Sequence, residues 1–167
     1  EFLEKKIKKI AESSKDSIII APTNIYGFSG LTLINYLQEL IEELVRATEF
    51  NIILRPHPSN RYDSKILQIK NFFKSNTKFH YDISEDYSSI YSKSMFLITD
   101  QSDTAYMFAF LTMRPVIFFS HDKEQIIPDD WHNLNYFVNR EKIGIIINQV
   151  TSISEKINML KHEIKKY

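Results

Sequence analysis

Two prolines enclose a histidine in Arg55-Pro56-His57-Pro58. A proline on either side stiffens the backbone, so His57 is presented in a fixed direction beside a guanidinium. Arg offers a planar fork of donors and His a second donor or a proton, which together could hold a phosphate. The plainer alternative is a rigid turn with an exposed His57 and with Arg55 on a nearby carboxylate. A second candidate is Thr99-Asp100-Gln101-Ser102-Asp103-Thr104, where a strand passes into a helix. Ser102 or Asp103 can cap that helix, leaving backbone N–H groups aimed outward as an anion site. The alternative is that both are caps and nothing more, and Asp103 sets a negative charge close to any phosphate held there.

Other polar groups are weaker candidates. His121-Asp122 and Asp129-Asp130-Trp131-His132 read as surface loops, the second anchored by Trp131, because adjacent residues usually point different ways. His57, His121, His132 and His162 never pair at helical metal spacing, and His80 lies in a strand, so no metal site is expected. The absence of cysteine removes disulfides, thiolate chemistry and thiolate-rich zinc sites, and it suits a reducing, cytoplasmic compartment. The three glycines, Gly27, Gly30 and Gly144, cannot write GxGxxG or a Walker loop. A nucleotide, if bound, is held by another device.

These residues need elements to position them. Short apolar runs predict strands over 17–21, 50–54, 78–81, 95–99, 115–119 and 144–147. Helical patterns cover 1–15, 31–47, 64–74, 87–92, 104–111 and 152–166, with Tyr106 and Phe108-Ala109-Phe110 read as core and 120–143 as a polar loop. Strands alternating with helices predict one α/β domain, a doubly wound, mostly parallel sheet of about six strands. In such a sheet ligands collect beyond the carboxyl ends of the strands. Pro22-Thr23-Asn24, Arg55 to Asn60, Asp82 to Asp86 and Asp100 to Thr104 all fall on that edge.

The 167 residues suit a single domain, and 43% hydrophobic composition excludes a disordered chain. Lys and Arg number 21 against 21 acidic residues, which argues against a nucleic-acid binder. The Lys5-Lys6/Lys8-Lys9 run reads as a solvated helix face, with contact to anionic lipid head groups as the alternative.

The ordered set of motifs adds to this. Ile53-Leu54-Arg55-Pro56-His57-Pro58 is followed by Tyr81-Asp82-Ile83-Ser84 and Ile90-Tyr91-Ser92-Lys93-Ser94. Leu97-Ile98-Thr99-Asp100-Gln101-Ser102 and Arg114-Pro115-Val116-Ile117-Phe118-Phe119 come next. Over about residues 17 to 148 the chain resembles the carboxy-terminal half of the CDP-glycerol glycerophosphotransferase family, makers of teichoic-acid-type polymers. The resemblance implies a Rossmann-like domain of the GT-B C-terminal type that grips a CDP-linked donor as substrate, with no tightly bound cofactor. It implies a catalytic or diphosphate-holding role for His57, and places Asp100 and Ser102 in the turn that faces the donor phosphates, with Arg55, Asp103, Thr104 and Thr23 around it. Asp103 stands where that family usually has Ser or Gly, and Met107 where it often has an acidic residue. The resemblance further implies an amino-terminal acceptor domain that these residues do not contain, so the expectation is an excised donor half, inactive alone. In the whole protein it implies a cytoplasmic place with peripheral contact at the membrane. The rival readings are a nucleotide-sugar glycosyltransferase or sugar 2-epimerase of the same architecture, and a non-catalytic doubly wound module.

Overall fold

Ile18, Ile19 and Ile20 have no exposed surface, as in a strand covered on both faces. In the computed structural model, which describes residues 15–26, 33–120 and 134–164, this run is β1 (Ser17–Ile20) of a six-stranded sheet. The remaining strands are β2 (Asn51–Leu54), β3 (Phe79–Tyr81), β4 (Ser94–Thr99), β5 (Val116–Phe119) and β6 (Gly144–Ile147). Their order is β3-β2-β1-β4-β5-β6, and every neighbouring pair is parallel. This is the expected Rossmann-like fold, with the order reversing between β1 and β4.

The helices among the described residues are α1 (Leu37–Ala47), α2 (Ser64–Phe73), α3 (Ser88–Lys93), α4 (Thr104–Thr112), α5 (Asn135–Val138), α6 (Arg140–Ile143) and α7 (Ile153–Ile164). Side chains alternate across the strands. Ile18, Ile20, Ile52 and Ile98 therefore pack on the layer of α1, α2 and α7. Ile19, Ile53, Leu97 and Phe118 pack on the layer of α3, α4 and α6. In α1, Leu37, Leu40, Ile41 and Leu44 are buried at helical spacing. None of the described helices is long and apolar enough to cross a membrane.

Three expectations need adjusting. The helix expected from residue 31 opens as a tight 3-10 turn, Leu33–Tyr36, before α1. The stretch read as a polar loop before β6 contains α5 and α6. Phe110, read as core, is 70% exposed, and Tyr106 is half-buried, whereas Phe108 and Ala109 are buried. The apolar residues of α4 surround the helix, and only one face can meet the sheet. The helix expected over 1–15 with its lysine run, the Gly27 and Gly30 loop, and the pairs around His121 and His132 lie outside the described residues.

Gly144 opens β6 opposite Val116 of β5. A Cβ there would lie 1.9 Å from the Val116 carbonyl oxygen, a backbone atom that cannot turn aside. Gly144→Ala should therefore part the β5–β6 pair, at a cost of about 1–3 kcal/mol. Thermal unfolding should show Tm falling by about 2–4 °C per kcal/mol for a chain of this size. An unchanged Tm would contradict the close approach.

Candidate functional site

The ladder of β2 ends because Pro56 has no N–H to give it. Arg55 and His57 each precede a proline, which drives them to extended backbone, and His57 sits at φ −53° and ψ 141°. From there it caps a 3-10 turn, Pro58–Asn60, with Nδ1 accepting the Ser59 N–H at 3.2 Å. An accepting Nδ1 carries no proton, so the neutral ring holds its proton on Nε2. Among the described residues nothing engages that second nitrogen. Asn60, which is buried, accepts the Ile25 N–H on Oδ1 at 3.2 Å and so ties the loop after β1 to the turn that carries His57.

Beyond β4 the chain turns into α4. Ser102 Oγ caps the helix by accepting the Thr104 N–H at 3.3 Å, while Asp103, at the cap position, makes no side-chain cap bond. Asp100 is 1% exposed. Its Oδ1 accepts N–H groups from Thr23 and Gln101, both at 2.8 Å, and its Oδ2 accepts the Leu33 N–H at 2.7 Å. Burial pushes the Asp100 pKa up from the usual carboxylate value, and these N–H donors oppose that rise. The Asp100 carbonyl accepts from Arg140 Nη2 at 3.1 Å. The Arg140 guanidinium, 3% exposed as a residue, packs against the rings of Phe118, Tyr136 and Phe137 at 4.5–5.0 Å.

Between these strand ends lies a cleft of about 160 Å³. Ala21 and Pro22 wall it after β1, Arg55 to Pro58 after β2, and Ser102, Thr104 and Met107 along α4, with Tyr87 and Tyr91 between. Of the sequence-predicted residues, Arg55, His57, Ser102 and Thr104 thus share one cleft. Thr23 follows its wall, Asp103 is exposed at the start of α4, and Asp100 lies beneath rather than in it. Arg55 is engaged: it pairs with Asp82, and its Nη2 donates to the Ser84 carbonyl at 2.9 Å. The carboxylate partner foreseen as the plainer reading of this residue is therefore Asp82. Tyr91 is buried beside Thr104 and Tyr87, and burial pushes its pKa up to about 12.

Some contributors carried little signal in sequence. Arg140 falls in the stretch read as a polar loop, Tyr91 in a predicted helix and Asn60 on the strand edge, and their roles depend on partners from other strands. Arg114 lies away from the cleft: it is buried where β5 begins, and its Nη1 donates to carbonyls of Tyr91, Ser92 and Ser94, bracing the junction of α3 and β4.

Comparison with known proteins agrees with this fold. The family model for CDP-glycerol:poly(glycerophosphate) glycerophosphotransferase matches residues 4–167. A search of curated proteins gives no match. Among solved structures, UDP-GlcNAc 2-epimerase of Methanocaldococcus jannaschii, in complex with UDP-GlcNAc and UDP, is similar at TM-score 0.62 and 12% identity, over 96% of this chain and 41% of that one. The wall teichoic acid polymerase TagF is similar at TM-score 0.56 and 22% identity, over 99% of this chain and 39% of that one. The Escherichia coli heptosyltransferase WaaC with ADP is similar at TM-score 0.59 and 11% identity, over 98% of this chain and 48% of that one. The chain spans less than half the length of each, and at these identities the likeness shows the fold.

The Arg55–Asp82 pair joins the ends of β2 and β3, and both side chains are less than one-fifth exposed. Urea unfolding of Arg55→Ala, Asp82→Ala and the double variant should give a coupling of about 1 kcal/mol. Additive single effects would mean that Arg55 is available to other anions.

Proposed function

The chain belongs to the CDP-glycerol:poly(glycerophosphate) glycerophosphotransferase family, and on that premise we propose that it is the donor-binding domain of a transferase moving glycerophosphate from a CDP-linked donor to an acceptor hydroxyl. The observation that supports this most is the cleft at the reversal of strand order, where His57, Ser102 and Thr104 converge from separate strand ends. That is the position where doubly wound sheets take nucleotides.

In this reading the acceptor oxygen bonds to the β-phosphorus, the bond from that phosphorus to the CMP oxygen breaks, and CMP departs. Charge grows on the phosphate oxygens as it leaves, so the site must offer donors there. His57 supplies one through Nε2–H, a tautomer set by the Ser59 N–H on Nδ1. The start of α4 contributes the positive end of its helix dipole, its first N–H groups being taken by Ser102 and Asp103. Arg55 acts through Asp82 and Ser84, holding the strand ends that shape the cleft. A histidine that accepts on Nδ1 is a donor to the leaving side and no base toward the hydroxyl. The base and the acceptor site are therefore assigned to a further domain, in keeping with the share of the polymerase's length that this chain spans. The same reading makes the isolated chain a binder without turnover, and gives the whole protein a peripheral place at the membrane that carries its acceptor.

Calorimetric titration separates this from a nucleotide-sugar enzyme of the same fold. CDP-glycerol and CMP should bind the chain, and UDP-GlcNAc should bind more weakly. His57→Ala should lose about 10- to 100-fold in affinity, the worth of one hydrogen bond to a charged group. His57→Gln, which keeps an N–H donor, should lose less. Binding of UDP compounds alone, unaffected by His57→Ala, would overturn the assignment.

A further inference from the structure

Both walls of the cleft hang from one oxygen atom. Pro22 belongs to the wall after β1, and the N–H of the next residue, Thr23, donates to Asp100 Oδ1. Ser102 belongs to the wall before α4, and the N–H of the residue before it, Gln101, donates to the same Oδ1. The other oxygen, Oδ2, takes the Leu33 N–H where the chain enters α1's preceding turn. One carboxylate thus fixes the chain on either side of the stretch that holds Gly27 and Gly30. It is anchored from behind as well, since its own carbonyl is held by the ring-packed Arg140.

We propose that Asp100 is the positioning residue of the donor cleft, setting the separation of its two walls without touching the ligand. This rests on reading the cleft as a nucleotide site. The arrangement calls for a carboxylate: three N–H groups converge on two oxygens, and an ionised Asp is acceptor-only at both. An Asn in its place would turn an NH2 group toward at least one N–H, and Ala would leave all three without a partner. Thr99, at the end of β4, also joins the two walls, its hydroxyl donating to the Ala21 carbonyl at 2.6 Å, but Asp100 adds the ties to Thr23 and Leu33 beyond the strand ends.

The test is calorimetry of CDP-glycerol and CMP with the full chain carrying Asp100→Asn or Asp100→Ala, at a temperature where circular dichroism shows each variant folded. Affinity for both ligands should fall by about tenfold. A purely structural role would lower Tm and leave the affinity of the folded protein unchanged, which overturns the positioning role while the nucleotide site stands. Absence of binding by the unaltered chain overturns both. Should the variants fail to fold, hydrogen exchange of the unaltered chain decides. CMP should slow exchange at the Thr23, Leu33 and Gln101 amides by a common factor, and exchange at Thr23 and Leu33 that ignores CMP overturns the proposal.

Discussion

A parallel sheet that winds in both directions has one unavoidable gap, and here a buried carboxylate braces its rims. β1 is flanked by β2 on one side and β4 on the other, so the chains leaving these strands diverge once the ladder ends, and the N–H groups beyond it need other partners. Buried backbone donors without partners are costly. Asp100 takes three of them at once, from Thr23, Gln101 and Leu33. The opening at the sheet edge is thereby kept open and its rims held in place. Asp100 itself carries the strain of the arrangement, since burial disfavours its charge while the converging N–H groups favour it.

How much of this the sequence reveals depends on the range of each interaction. The strands are legible because fully buried strands are continuous apolar runs, and Pro22, Pro56 and Pro115 mark where ladders end or begin. The sheet edge follows from topology, so Arg55, His57, Ser102 and Thr104 could be placed together before any contact was known. What stays hidden is direction. Asp100 follows its strand as a ligand-facing residue would, yet its partners lie 67 and 77 positions away and draw it inward. For Arg55 a carboxylate partner is foreseen as one of two readings, but which carboxylate is not, because Asp82, 27 positions on, meets it only at the paired ends of β2 and β3. Phe110 could not be told from Phe108 by periodicity, because α4 is apolar on all sides and only contact with the sheet separates them.

The charge pattern gains meaning from these pairings. With Arg55 on Asp82, Arg140 enclosed by rings and Asp103 exposed at the start of α4, the cleft offers an anion few free cations. If it takes a diphosphate, as we propose, the grip comes from the His57 donor and from the helix dipole at the start of α4, which need no basic surface. Such a grip is directional, because dipoles reward alignment more than proximity. It also makes the fixed spacing of the walls matter more than it would in a site built on flexible lysines.

The same logic bears on which proton each half of a two-sided site handles. For His57 to act as a base through Nε2, its proton would have to sit on Nδ1, and Nδ1 is already accepting from Ser59. Reversing the tautomer would break that bond and point an N–H at an N–H, within a turn whose φ is limited by Pro58 and whose backbone is held by the Asn60 N–H on the His57 carbonyl at 2.8 Å. Tyr91, which also lines the cleft, has its phenol pKa pushed up to about 12 by burial. His57 therefore presents a hydrogen, which in the function we propose suits a departing phosphate and not an attacking hydroxyl. In the function we propose, a donor on this side has its complement in a base on the opposing side.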